Sequence, residues 1–277
     1  MSIPELAPLN VLVIGTGRAG QARIRAVQSV RDTVLQRAWS IRKDGRKGIN
    51  NYLQSNALDL VIICTENGLH SQLIAQALQA KANVLVEFPL VNSSVRAEEL
   101  WRLAQNNQTL LCECIALLTP THQLRKERLR TGSWRELRVQ FQAGVYRWIE
   151  REIQEGNIGQ LAIGRLQALW DLTGKLSLEK VQYSAQNDGY RVQIWLRDAA
   201  RRLVFLEETR RKEGRRGAEW FVDGMPFPAQ HIPSPQPLFE KDLELAVQHL
   251  KGAQEYYLSK EACLGVLRLA EEISKQL

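Results

Sequence analysis

The sequence predicts an α/β protein in two parts. The N-terminal part is a doubly wound parallel sheet, and the C-terminal part is an α+β domain around an open, largely antiparallel sheet. Three observations carry this expectation. Short runs that are apolar throughout alternate with helical stretches over residues 1–120. A glycine-spaced turn follows the first of those runs. After Thr119 and Pro120 the texture changes to strands in which apolar and polar residues alternate. Domains are therefore expected over 1–120 and 121–277, and 277 residues with 44% hydrophobic content suffice for two modest cores.

The elements follow in order. "NVLVIG" (10–15) is the first strand, and Ala19, Ala22, Ala26 and Val30 keep helical spacing behind it. "LQRAWSI" is the second strand. "LDLVIICT" (58–65), "NVLVEF" (83–88) and "TLLCECIALL" (109–118) are three more, separated by helices around Leu73, Ile74, Ala77 and Leu78 and around Leu100, Leu103 and Ala104. Strands that are apolar on both faces and alternate with helices imply a parallel sheet covered on both sides. In the fifth run, Cys112 and Cys114 are two apart and share a face, with Glu113 opposite. Beyond Pro120 a basic helix leads into "ELRVQFQAGV", "KVQYSAQN", "YRVQIWLR", "RLVFLEET" and "AEWFVDGMPF", joined by turn residues such as Asn187-Asp188-Gly189. This pattern fits a sheet with one wet face. "MPFPAQHIPSPQP" is too rich in proline for regular structure, and two closing helices follow, marked by Leu243, Val247 and Leu250 and by Cys263, Val266, Ala270 and Ile273. These helices are expected to return to pack near the first domain.

Composition narrows the function classes. A formal charge of +7 and a pI near 9.4 point to an anionic partner. The basic residues are spread over strands and turns without a reading motif, so nucleic acid is not the expected one. Cys64, Cys112, Cys114 and Cys263 lie in apolar runs and lack metal-type spacing, as in a reduced, cytoplasmic protein. His122, His231 and His249 show no metal spacing either, and no metal cofactor is indicated. No stretch approaches the roughly 20 apolar residues of a membrane span. Trp148, Trp170 and Trp195 are expected mostly in the core. Oligomeric state leaves no signature.

The clearest chemical signal is "VLVIGTGRAG". Gly15 makes a tight turn, Gly17 lets the backbone approach a pyrophosphate, and Gly20 lets the helix pack close to the strand, with Thr16, Arg18 and Ala19 completing the turn. The helix N-terminus then faces the anion. This is the dinucleotide-binding pattern of a Rossmann domain. At the end of the second strand an acid would hold the ribose 2′-OH of NAD, but Arg42 and Lys43 stand there. Two cations suit the 2′-phosphate of NADPH, while neighbouring Asp44 leaves NADH open. Thr65, Glu66, Asn67 and His70 of "CTENGLH", and Glu87 and Phe88 of "VEFPL", fall on the same ligand-binding edge of the sheet. His70 either touches the cofactor or simply begins a helix.

The glycine turn, the strand ending near Thr65 with His70 beyond it, and Glu87-Phe88-Pro89 resemble the glucose-fructose oxidoreductase and inositol dehydrogenase family over the whole chain. Most of that family has a lysine between the glutamate and the proline and an aspartate followed by a histidine on a helix of the second domain. Here Phe88 replaces the lysine, and Gly164 and Arg165 stand near the histidine's place. "GTGRAGQARIR", "ICTENGLH", "VLVEFPL", "EELWRLA" and "GRLQALWDLTGKLS" are similar, in order and spacing, to the biliverdin reductases within that family, which lack the lysine.

That resemblance implies NADPH-dependent reduction of biliverdin, with hydride passing to the central methine carbon and a proton to a pyrrole nitrogen. It places Glu87-Phe88 beside the nicotinamide and Arg165 in the substrate cleft, where Arg165 would stabilise or relay charge, directly or through a water it holds. Phe88 stands where these reductases often carry tyrosine, so it contacts substrate without donating a proton. Glu113 matches a family glutamate near the cleft, although the family's second acid is Ala116 here; an internal salt bridge is the alternative. Biliverdin is flat and carries two propionates, so Arg191 and Arg197, with Arg201 and Arg202 nearby, are expected either to take its carboxylates or to form a solvated strand face. A sugar dehydrogenase and a catalytically inactive NADP(H)-binding sensor remain the alternative functions.

Overall fold

The computed structural model describes residues 7–104, 108–145, 149–150, 157–227 and 232–277. Trp148 and His231 lie outside them. The chain divides into two compact units, one made of Met1–Leu118 with Ser234–Lys260, the other of Thr119–Pro233 with Glu261–Leu277.

In the first unit, β1 (Leu9–Ile14), β2 (Thr33–Trp39), β3 (Leu60–Ile63), β4 (Asn83–Val86) and β5 (Leu110–Cys112) form a parallel sheet in the order β2-β1-β3-β4-β5. Val11–Ile14 and Leu60–Ile63 are almost completely buried, as strands covered on both faces must be. The helices are α1 (Arg18–Ser29), the short α2 (Ile41–Asp44), α3 (Ile49–Ser55), α4 (Asn67–Gln79) and α5 (Ser94–Leu103). The sheet order reverses at β1 and β3, so the crevice at their C-terminal ends is the position where open α/β sheets bind ligands.

Two sequence expectations change here. The fifth strand is shorter than 109–118: it ends at Cys112, and Ile115–Leu118 is a 3-10 turn. The strand stops because the Cys114 N–H donates to the carboxylate of Asp242 (3.0 Å) instead of a neighbouring strand. Cys112 and Cys114 therefore do not share a strand face, although both are buried. The helix supplying Asp242, Leu238–Leu250, belongs to the first unit: the boundary at 121–277 counted it with the second part, whereas the expectation that the closing helices return to pack near the first domain holds for this one.

The second unit opens with α6 (Pro120–Thr131). Its mixed sheet has the order β11-β10-β6-β9-β8-β7, from β6 (Glu136–Gly144), β7 (Leu176–Gln186), β8 (Gly189–Asp198), β9 (Leu203–Arg211), β10 (Gly217–Val222) and β11 (Met225–Pro226). Only the β6–β9 pair is parallel. Along β8, buried residues alternate with half-exposed ones, which makes one face wet. The remaining helices in chain order are α7 (Ile158–Thr173), α8 (Leu238–Leu250, in the first unit) and α9 (Lys260–Lys275). A Cβ on Gly159 would stand 1.9 Å from the Ala270 carbonyl oxygen, so α7 and α9 touch backbone to backbone there. Trp195 is not a core residue: it packs on Phe205 of the wet face at 5.1 Å between ring centres, with the Lys180 ammonium 5.1 Å from its ring. Trp170 is half-buried against Gly265.

Candidate cofactor cleft and ionic clusters

In the first unit a cleft of about 580 Å³ opens at the switch point, bordered by Gly15, Thr16, Gly17, Arg42, Lys43 and Thr65. The glycines explain its shape. Gly15 has φ +101°, and a Cβ there would lie 2.2 Å from the Cys64 carbonyl oxygen. A Cβ on Gly20 would meet the Gly15 carbonyl oxygen at 1.8 Å, so α1 starts hard against the turn. At Gly17 a Cβ would meet nothing within 4 Å; the open space belongs to the cleft, where a phosphate can reach the backbone. These features and the size, within the roughly 300–1,000 Å³ usual for small-molecule sites, fit a dinucleotide.

At the far end of the cleft, the Ser40 hydroxyl caps α2 by accepting from the Lys43 N–H. Asp44 turns away: it accepts from the Ser40 N–H (2.7 Å) and lies 3.8 Å from Arg37, whose guanidinium covers Trp39. The one acid that kept NADH open is thus committed to the backbone, whereas Arg42 and Lys43 border the cleft. Gln21, Ser40 and Cys64 also border it and were missed. For Gln21 the signal was present, one helical turn beyond the glycine turn.

His70 is fully buried, with Nδ1 3.0 Å from the Pro89 carbonyl and Nε2 3.1 Å from that of Thr65. Burial pushes its pKa below the usual imidazole value, although the carbonyls oppose this. Its surroundings are backbone, so His70 ties together the turns after β3 and β4 and does not reach the cleft surface. The Phe88–Pro89 peptide in the second of these turns is cis.

Glu113 follows β5 and meets Arg23 of α1 at 3.0 Å. Arg23 is 1% exposed and also contacts Asp242, at 2.5 Å. Asp242 further accepts from the Cys114 N–H and from the Tyr256 hydroxyl (2.7 Å). Burial pushes the Glu113 carboxyl up to about 7; Arg23 opposes this, and Asp242 and Glu87 add to it. Burial likewise raises Glu87, against the pull of Arg23. The internal salt bridge at Glu113 is therefore present, and it leaves the carboxyl able to hold a proton near neutrality.

In the second unit, Arg165 of α7 points at the covered face of the sheet. Its Nη2 lies 2.7 Å from the buried Glu208 Oε2, and its guanidinium sits 4.5 Å from the centre of the Phe141 ring. Arg191 pairs with Glu207, and Arg197 with Glu179 at 3.1 Å, both on the wet face. The expected substrate set is therefore not gathered: Arg191 and Arg197 stand on one face and Arg165 on the other. A period of two along β8 and β9 places Glu207 and Glu208 on opposite faces, and the arginines follow their carboxylates. Arg201 and Arg202 lie in the β8–β9 turn, where Arg202 binds Asp198 (2.7 Å) and covers Trp134. His122 is bound to Asp171 at 2.8 Å, and among the described residues no group of three metal-ligating side chains occurs. No described helix is long and apolar enough to cross a membrane.

Residues 9–113 match the model of an oxidoreductase family with an NAD-binding Rossmann fold. Mouse biliverdin reductase A is 29% identical, over 99% of this chain and 98% of its own length. The human protein is 27% identical, over 96% and 95%. Biliverdin reductase from Synechocystis sp. PCC 6803, solved with biliverdin and NADP+, superposes with a TM-score of 0.78 at 22% identity, covering 98% of this chain and 99% of that one. The fold is thus shared along the full length.

Proposed function

We propose that this chain, an NAD(P)H-dependent oxidoreductase similar along its whole length to the biliverdin reductases, reduces biliverdin to bilirubin. The observation that carries the substrate is the near-complete two-way coverage of mouse biliverdin reductase A. Phe88 and the Gly164-Arg165 pair, standing where sugar-oxidising relatives carry lysine and histidine, argue against a sugar hydroxyl as the reacting group. The test is to mix the purified chain with biliverdin and NADPH and follow the visible spectrum. Loss of the biliverdin band as a bilirubin band grows supports the reading; an unchanged spectrum with NADPH bound would leave an inactive binding protein.

In this reading the turn at Gly15–Gly20 seats the pyrophosphate and Arg42 and Lys43 receive the 2′-phosphate. When bound, the reduced nicotinamide supplies the hydride. Arg165 stabilises the charge that develops on the bilin and holds the water that gives its proton to the pyrrole nitrogen, and Glu113, protonated near neutrality, is the proton reserve that makes up the loss. Arg42→Ala with Lys43→Ala should raise the Michaelis constant for NADPH roughly ten- to hundred-fold, since a hydrogen bond to a charged group contributes about 1.5–3 kcal/mol. NADH should change little; equal effects on both cofactors in steady-state assays would contradict the assignment.

The protonated form of Glu113 disappears as pH rises through about 7, so turnover should fall over the same window, and Glu113→Gln should flatten the profile. Stability carries the same sign. The folded-state value lies above the 4.5 of an unperturbed glutamate, so this contribution is complete below about 4.5 and lost as pH rises through about 7. A Glu113→Gln profile as steep as that of the parent chain would assign the proton to another group.

A further inference from the structure

We propose that Glu208 is the positioning residue for Arg165: a sheet-borne carboxylate that sets the direction of the guanidinium without touching the substrate. The inference rests on the bilin reading given to Arg165. Glu208 is 0% exposed, a state that a carboxylate tolerates only when its oxygens are paired. Its Oε1 accepts from Arg210 Nε (2.6 Å) and from the Tyr190 hydroxyl (3.1 Å), while its Oε2, which has no hydrogen-bond partner, meets Arg165 Nη2 as an ion pair at 2.7 Å. Tyr190, itself 0% exposed, is pushed above its usual pKa by burial and by Glu208, so it remains a donor.

The sheet makes this mount rigid. Phe141 of β6 and Glu208 of β9 are register partners, and so are Tyr190 of β8 and Arg210 of β9. Arg165 therefore reaches from its helix onto two cross-strand neighbours, the ring of Phe141 and the carboxylate of Glu208. It is also held by its own helix through the Leu161 carbonyl.

The charges do not cancel. Arg165 and Arg210 face the single carboxylate of Glu208, so the cluster keeps one surplus positive charge. Arg210 is 5% exposed and also donates to the Gly144 carbonyl, whereas the Arg165 side chain is 20% exposed and its Nε has no hydrogen-bond partner. The surplus is thus presented at Arg165. A buried ion network of this kind contributes little net stability compared with apolar packing. Its use is to hold a long, rotamer-rich side chain in one orientation, as sites mounted on strands do.

The test compares the full-length chain with Glu208→Gln, Arg165→Ala and the double variant, using biliverdin and NADPH. Glu208→Gln should lower turnover about ten-fold, leave the NADPH Michaelis constant unchanged and add no further loss in the Arg165→Ala background. Equal losses in both backgrounds, or parent turnover in Glu208→Gln, would overturn the proposal. A second measurement is independent of substrate: ¹⁵N spectra of the Arg165 guanidinium, assigned by its disappearance in Arg165→Lys. The terminal nitrogens should be resolved in the parent chain and averaged by rotation in Glu208→Gln. Averaging in the parent, or a guanidinium still locked in Glu208→Gln, refutes the positioning role. A parent chain inactive on biliverdin would refute the substrate instead, and the spectra would still decide the inference.

Discussion

Asp242→Ala is expected to destabilise the protein by about 3–5 kcal/mol, the usual cost of removing one partner from a buried ion pair. Arg23 is 1% exposed and Asp242 0% exposed, so neither charge has water to fall back on. Burial works against the charged guanidinium, but Asp242 and Glu113 outweigh it and hold the Arg23 pKa above its usual value. The substitution also strips the Cys114 N–H and the Tyr256 hydroxyl of their acceptor. Against the 5–15 kcal/mol by which typical proteins are stable, this is a large fraction. Urea titration should show it as a lower midpoint with little change in slope. Glu113 would then be Arg23's remaining carboxylate partner at the cluster and would lose a like-charged neighbour. Its carboxyl should titrate lower, and the pH at which turnover falls should drop with it. An unchanged urea midpoint would mean that α8 is held to its unit by apolar contacts alone.

Arg165→Ala is the second large effect, and it should appear chiefly in rate; stability also falls, because the buried Glu208 Oε2 loses its ion-pair partner while Arg210 and Tyr190 still hold Oε1. A single electrostatic contact to charge that develops in the transition state is typically worth on the order of 10²-fold in rate. The turnover number with biliverdin should fall by about that factor while NADPH affinity stays unchanged, because the dinucleotide cleft is bordered by residues of the other unit. Arg165→Lys should recover only part of the loss, since an ammonium lacks the planar face that lies over Phe141 while Nη2 meets Glu208. Stopped-flow single turnovers with NADPH bound in advance would isolate the step. Parent rates in Arg165→Ala would pass the proton to bulk water and leave Arg165 a structural arginine.

Much of the fold could be read from the residues, because the forces that set it are local. "NVLVIG" and "LDLVIICT" are apolar on both faces, and a chain segment of that kind has few places to go except a sheet covered twice. Gly15 and Gly20 mark a turn where a side chain would collide with backbone, a steric demand that shows in spacing alone. The alternation along "YRVQIWLR" likewise defined a wet and a dry face before any partner strand was known.

The sequence by itself thus determined the two sheet types, the dinucleotide turn and the basic residues at the end of β2. Only the tertiary structure decided which charges meet. Arg23 and Asp242 are 219 residues apart, and Arg165 is separated from Glu208 by the whole β7–β8 hairpin. Nothing periodic links such positions. It also decided that β5 stops at Cys112, that Asp44 turns back onto Ser40, and that Arg191 and Arg165 lie on opposite faces of one sheet. The physical reason is common to all of these. Backbone conformation answers to neighbours within a few residues, whereas the partner of a buried charge is whichever opposite charge packing brings within about 3 Å, and packing is a property of the whole chain.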